Sequence, residues 1–366
     1  MVSALSRRMV DVALVLIAVV LAGLIAQDAV LDRGGANRAA EPSAHLVRDP
    51  LDLPALRELG LRLDKQGHLA QADAILSFVG RRTWRDGPTE VWLLRRRLDQ
   101  GRYREAMESA DALLRQDADG VTRPALFALL IAAADDPQAR PALVARLAPG
   151  PWWRADFLRA LGVRGASASA AETLSALALG PTPSSSDEYA PLINRLVSGG
   201  DVNGAYAAWL SVARPREPDT ATLRDGGFTG SSDHTAFTWS AASGVGVSSE
   251  VVTAPRALRV DYDGYSAPNL PAQLLVRPPG RYLLTWRERV DPGDSGRLFW
   301  RVRCAETNEI LARASPPVAG WRAVSLTVEA RGAGCPAQWL ELAAEPGERR
   351  SPVTGWYAAF RLQPLP

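Results

Sequence analysis

The chain is poor in the residues that most metal and nucleophile chemistry uses. Its 366 residues hold two cysteines, three histidines and one lysine, Lys65. No two of His45, His68 and His234 have the spacing of metal ligands, which argues against a zinc site and a histidine relay. There is no Gly-x-Ser-x-Gly nucleophile elbow and no Gly-rich phosphate loop. No cofactor or metal is therefore expected. The 42 basic and 40 acidic residues leave a net charge of +2, too little bulk basicity to draw nucleic acid. Nearly all the basic residues are arginine, a skew that fits a GC-rich genome and weakens each Arg as a functional sign. At 47% hydrophobic residues the chain can build cores, and its length suits two or three domains.

What is present begins with Arg7 and Arg8 ahead of an apolar run from Val12 to Ala26. Met9 to Ala29 is about 20 residues, about one membrane span. The arginines predict a cytoplasmic N-terminus and an exported remainder. A cleaved signal peptide is the alternative, although Leu24-Ile25-Ala26 lacks the small residue expected three before a cut. Outside the cytoplasm a disulfide between Cys304 and Cys335 can persist, the alternative being two buried thiols. Residues 30–52, with Gly34-Gly35, Asn37, Pro42 and Pro50, read as a tether.

From Leu53 to Ala213 the apolar period is helical. Leu56, Leu59 and Leu63 share a face ahead of Gly67, and Ala72, Leu76 and Val79 share one after it. The layout recurs around Gly101, about 34 residues on. Gly67-His68-Leu69-Ala70-Gln71-Ala72 aligns with Gly101-Arg102-Tyr103-Arg104-Glu105-Ala106. These two units resemble the tetratricopeptide repeat family, although the family's large aromatic near the start of the first helix is missing from both. Pro124–Ala134 with Pro137–Leu147, a helix from Pro151 to Gly162 with Ala168–Leu179, and Asp187–Val197 with Val202–Ala213 continue the helical pairs. The prediction is an α-solenoid of four or five hairpins over 53–214, with a concave surface for a protein partner. Trp152-Trp153 suits either a partner anchor or packing between hairpins, and Arg95-Arg96-Arg97 either an acidic-partner patch or a solvated face. Residues 215–224 read as a linker.

Asp225 to Leu365 changes to short alternating segments broken by Gly, Pro, Asp and Asn, which predicts an antiparallel β-sandwich over 225–366. Asp225-Gly226-Gly227-Phe228, Phe237-Thr238-Trp239, Leu258-Arg259-Val260-Asp261-Tyr262-Asp263-Gly264, Gln273 before Pro279-Gly280-Arg281-Tyr282, and Gly355-Trp356-Tyr357-Ala358-Ala359-Phe360-Arg361-Leu362 occur in that order. The set resembles the carbohydrate-binding jelly rolls of the galactose-binding-like fold. Members of that fold often carry an Asp after the last strand's Phe that helps hold a structural calcium. Arg361 stands there instead, so no calcium is expected. An anchored repeat domain followed by such a jelly roll also resembles proteins that accompany bacterial exopolysaccharide gene sets.

Strand parity sorts the domain. Leu258, Val260, Tyr262, Tyr282, Leu284, Trp286, Leu298, Trp300, Val302, Cys304, Val324, Leu326, Val328, Leu340, Leu342, Trp356, Ala358, Phe360 and Leu362 are predicted inward. Trp339, Glu341, Phe299, Arg301, Arg303, Tyr357, Arg287 and Arg361 are predicted outward and are the candidate glycan-binding residues. Aromatic faces stack on the C–H face of sugar rings, and guanidinium and carboxylate groups hold hydroxyls. The alternative is that these side chains face solvent or lie under loops.

The resulting expectation is a multidomain α + β protein: anchor 1–29, tether 30–52, repeats 53–214, linker 215–224 and jelly roll 225–366. It would sit in the bacterial inner membrane by a single pass, with its bulk in the periplasm. There it would act without catalysis in exopolysaccharide or envelope assembly, binding a glycan through the jelly roll and a protein through the repeats. A purely protein-binding scaffold with a structural jelly roll is the alternative. A glycan-active enzyme built on Asp261, Asp263 and Glu341 is the third reading, since glycosidases use two carboxylates.

Overall fold

The computed structural model describes residues 42–214, 223–230, 232–291, 297–315, 319–332 and 334–366. The expected anchor, the tether up to 41 and most of the linker lie outside the described residues. Among the described residues no helix is long and apolar enough to cross a membrane. The chain divides into two compact units, the second being Ser184–Pro366. The predicted repeat domain runs to 214, whereas the compact division falls thirty or so residues earlier and groups the last helical pair with the strands.

In the first unit a short α1 (Pro42–Leu46) leads into α2 (Leu53–Lys65), α3 (Leu69–Arg82), α4 (Gly87–Asp99) and α5 (Tyr103–Gln116). Then come α6 (Arg123–Asp135), α7 (Arg140–Leu147), α8 (Arg154–Arg164) and α9 (Ser167–Ala178). The first two hairpins turn at glycines in the left-handed region, Gly67 at φ 82° and Gly101 at φ 68°. Each turn closes by a six-residue bond, His68 N–H to Leu63 C=O and Arg102 N–H to Arg97 C=O. A side chain at either glycine would strain that geometry. Ala72 and Ala106 are fully buried, so the paired helices approach over a methyl group.

The paired tryptophans part company. Trp153 is buried, and its indole N–H donates to Asp111 Oδ1 at 2.8 Å, while Trp152 is more than half exposed. Asp111 on α5 is itself buried and also accepts from Arg146 of α7 and from Arg115. One carboxylate thus joins α5, α7 and the start of α8. Within Arg95-Arg96-Arg97 only Arg97 is buried, and it donates to Asp73 and Ser77 of α3.

The second unit opens with the hairpin α10 (Ser186–Ser198) and α11 (Val202–Ala213). Gly200, at φ 85°, repeats the turn geometry, and Ala205 is fully buried. Nine strands follow: β1 (Val247–Thr253), β2 (Arg256–Tyr262), β3 (Ala272–Val276), β4 (Gly280–Val290), β5 (Leu298–Cys304), β6 (Ile310–Arg313), β7 (Arg322–Ala330), β8 (Ala337–Ala344) and β9 (Val353–Pro364). They form two antiparallel sheets, ordered β1-β2-β9-β4-β7 and β3-β8-β5-β6. Trp286, Trp300, Phe360, Tyr262 and the inward Val and Leu residues fill the space between them.

One strand departs from simple alternation. Across from β4, Thr285 pairs with Arg361 and Arg287 with Ala358, so two residues of β9 face one of β4. Ala359 in this bulge has φ 55°. The extra residue reverses parity along β9. Val353, Gly355 and Tyr357 point inward before it, Phe360 and Leu362 after it. Parity predicts Trp356 and Ala358 inward; both are half-buried on the outer side. The early Asp225-Gly226-Gly227-Phe228 run seals this bulge. Phe360 N–H donates to Gly226 C=O, and a Cβ at Gly226 would lie 2.1 Å from Phe360 O.

The Asp111→Ala substitution leaves the Trp153 N–H and the Arg146 guanidinium without their buried acceptor. It is expected to cost about 3 kcal/mol. Calorimetry would then show the helical unit melting earlier, with the sandwich transition unmoved. An unshifted helical transition would contradict this role.

Candidate functional site: a groove on the four-stranded sheet

Because Leu340 and Leu342 point into the core, Trp339 and Glu341 of β8 point out. On β5 the inward Trp300 and Val302 leave Arg301 and Arg303 outward. Register sets Glu341 opposite Arg301 and Trp339 opposite Arg303. Glu341 Oε1 accepts from Arg301 Nε at 2.6 Å and from Arg303 Nε at 2.9 Å. Arg303 also donates to Asn308 at 2.6 Å, and its guanidinium lies 5.9 Å from the centre of the Trp339 ring. Two cations thus converge on one oxygen of one carboxylate. Among the described residues Glu341 Oε2, Arg301 Nη1 and Arg303 Nη2 take no protein partner. The cluster therefore offers an acceptor and two donors within one side chain's reach of a half-buried indole.

A disulfide holds the two strands together at this end. Cys304, next to Arg303, bonds Cys335, two residues before β8, with Cα atoms 5.6 Å apart. Both cysteines are buried.

The four residues line a groove of about 1430 Å³. Its far wall comes from the loop residues Ser232, His234 and Thr235 and from Asn194 and Ser198 of α10. The loop runs on beside β3, where Leu274 N–H donates to Ala236 C=O and Ser240 N–H to Ala272 C=O. Buried Asp233 fixes this wall. It accepts from Trp209 Nε1 of α11 at 2.8 Å, Thr235 Oγ1 at 2.6 Å, Thr238 Oγ1 at 2.9 Å and the Thr235 N–H at 3.1 Å. The Tyr189 hydroxyl of α10 stands 3.4 Å away and Arg224 Nη1 3.9 Å. Burial pushes the Asp233 carboxyl up, but the hydrogen bonds from Thr235, Trp209 and Thr238 outweigh it and hold it below the ordinary carboxylate value. Burial pushes the Tyr189 hydroxyl up.

The other four candidates lie elsewhere. Phe299 points outward from β5 but is buried, with the Arg313 guanidinium 3.6 Å from its ring centre. Tyr357, predicted outward, is buried between the sheets because it precedes the β9 bulge. Arg287 and Arg361 are exposed on β4 and β9, on the opposite sheet. Arg287 lies 5.4 Å from the Trp321 ring centre there. The carboxylates considered for catalysis do not assemble either. Asp261 is on β2, in the opposite sheet from Glu341, and accepts from Arg259 and Thr354. Asp263 accepts from the backbone N–H groups of Ser266 and Tyr265, which hold its carboxyl below the usual range.

The wall residues Asn194, Ser198 and His234 were not legible as site residues. The polar run Ser232-Asp233-His234-Thr235, made of residues that bond their own backbone, was the available signal for a built loop.

No protein-family model matches the chain, and no curated protein matches it. Among solved structures it is similar to a CBM4 structure, at 9% identity over 41% of this chain and 99% of that one, TM-score 0.27. It is also similar to the carbohydrate binding module CBM6cm-2 from Cellvibrio mixtus lichenase 5A in complex with cellotriose, at 16% identity over 33% and 89%, TM-score 0.23. A third is CsCBM6-3 from Clostridium stercorarium in complex with cellobiose, at 14% identity over 34% and 92%, TM-score 0.22. Likeness this distant carries no weight for what this chain binds.

Asp233 titrates below its unfolded value when folded. Its stabilisation is therefore complete above the unfolded value and is lost as pH falls through the folded one. Asp233→Asn is expected to lower stability at neutral pH by about 2 kcal/mol and to flatten the acid limb of the stability curve. Denaturant melts across that limb check it, and parallel pH slopes for the two chains would contradict it.

Proposed function

We propose that the second unit binds a glycan along the groove of the four-stranded sheet. The observation that carries this reading is the convergence of Trp339, Glu341, Arg301 and Arg303 on one face of that groove. A sugar ring laid on the indole presents an apolar C–H face to it. Its adjacent hydroxyls would then donate to Glu341 Oε2 and accept from the open guanidinium N–H groups. That pairing of one acceptor with flanking donors suits a vicinal diol. The groove's volume of about 1430 Å³ exceeds that of common small-molecule pockets, about 300–1,000 Å³, so several sugar units of a chain fit better than a single one. We read the role as binding rather than catalysis, because Glu341 is tied to two guanidiniums, whereas a glycosidase needs a carboxyl group free to give or take a proton.

The helical hairpins, on this reading, are tetratricopeptide-like repeats that dock a protein partner of the envelope machinery. The apolar stretch from Met9 to Ala29 anchors the chain in a bacterial inner membrane with both units in the periplasm, in exopolysaccharide or envelope assembly. One observation favours a scaffold that binds only protein. Of the three aromatic candidates Phe299 and Tyr357 are buried, which leaves Trp339 as the sole aromatic platform among them.

The test is affinity electrophoresis and calorimetric titration of the full chain in detergent against soluble neutral and acidic polysaccharides. Trp339→Ala is expected to weaken binding by at least about 10-fold, the loss of one well-packed aromatic contact. Arg287→Ala on the opposite sheet should leave it unchanged. Binding that ignores Trp339→Ala would remove the site from this groove, and absence of binding to every glycan would favour the scaffold.

A further inference from the structure

The first unit carries an apolar row that neither its own packing nor the groove explains. Among the described residues of this unit, eight large apolar side chains are exposed: Val47, Leu51, Leu69, Trp84, Val121, Trp152, Val163 and Leu179. Only Leu69 and Val163 flank the turns within hairpins. The other six stand where one hairpin gives way to the next: Val47 and Leu51 before α2, Trp84 before α4, Val121 before α6, Trp152 before α8 and Leu179 after α9. All six are more than half exposed.

These connections lie along one edge, and contacts between them join them in series. Arg57 of α2 donates to Asp86, just after Trp84, at 3.0 Å. Gln116, at the end of α5, donates to the Trp84 carbonyl. Asp117 accepts from the Arg123 N–H at 3.0 Å, and the Arg123 guanidinium lies 5.0 Å from the Trp152 ring centre. Arg154 donates to the Thr182 carbonyl at 2.9 Å. The connections that carry the row are therefore neighbours in space, although its residues are spread over more than a hundred positions.

Its charge is one-sided around the leading tryptophan. Arg81, Arg82 and Arg85 are exposed beside Trp84. The nearby acids are largely engaged: Asp86 accepts from Arg57 and Thr89, and Asp117 from the Thr122 and Arg123 N–H groups. Asp52 is engaged by His45 and the Ala55 N–H, which leaves exposed Asp119 and Asp49 among the described acids of these connections, and Arg48 adjoins the latter. Tryptophan among arginines, with scattered aliphatic residues, is the composition of a surface that rests in a bilayer interface.

The chain outside the described residues points the same way. The described residues begin at α1, which leads directly into Val47 at this edge. If the apolar run ends at Ala29, the following 12 or so residues reach at most about 40 Å. We propose that this edge of the helical unit lies on the membrane, its apolar row entering the headgroup region and its arginines meeting anionic lipid phosphates. The proposal rests on the anchor reading for its reach but concerns a different part of the chain.

The test places one thiol fluorophore on each edge of the full chain, at Val121→Cys and, on the α6–α7 turn, at Gln138→Cys. The native cysteines are buried in their disulfide and stay unlabelled. The chain is reconstituted in phosphatidylglycerol–phosphatidylcholine vesicles, and quenching by doxyl lipid is read after flotation. Position 121 is expected to be quenched at least about threefold more than position 138, as interfacial insertion of one edge requires. Flotation without quenching at 121, or equal quenching at both positions, overturns the proposal and leaves the anchor standing. A chain that does not float overturns both. Loss of flotation in the Trp84→Ser, Trp152→Ser chain, with its melting unchanged, would support the edge and remove the anchor.

Discussion

The buried carboxylate of Asp233 is the interaction on which the proposed site depends. A charge in that position is tolerated because four donors from the loop and α11 meet it, with a cation at the margin. Those donors tie the helical hairpin to the strands. Without them the sheet would present Trp339 and Glu341 on an open face rather than within a groove. The hairpin, despite its repeat-like turn chemistry, shares a compact unit with the sandwich, and its tryptophan is committed to Asp233.

The first unit uses the same device for a different end. Asp111 gathers an indole and guanidinium groups from successive helices, and Arg97 does so with the charges reversed. Such buried ties fix which helix faces which, where alanine-rich surfaces alone would permit sliding. The exposed apolar side chains at the connections between hairpins take no part in these ties. That is why six of them on one edge call for a partner of their own.

The sequence shows much of this architecture and misses what distant elements impose on it. The glycine at each tight turn and the alanine five residues later make the hairpins around Gly67, Gly101 and Gly200 readable, because few other residues adopt that backbone or permit that approach. Alternation sorts β2, β4, β5 and β8 into core and surface, and so identifies Trp339, Glu341, Arg301 and Arg303 before any coordinates. It fails in β9, where one bulged residue at Ala359 exchanges Tyr357 for Trp356. Nothing local marks that bulge; it is set by Gly226, more than a hundred residues earlier in the chain. Phe299 fails differently: its direction follows from parity, but its cover by Arg313 comes from a neighbouring strand. The groove's far wall was hidden for the same reason, being assembled across elements.

The central claim is that a saccharide stacks on Trp339. The chain's 11 tryptophans each give an indole N–H signal, so a two-dimensional NMR titration with soluble oligosaccharides reads all of them at once. The account predicts that the Trp339 signal moves while those of core Trp286 and Trp300 and of outer-sheet Trp321 and Trp356 stay. Movement confined to Trp321 or Trp356, or no movement of Trp339 under saturating glycan, would contradict it.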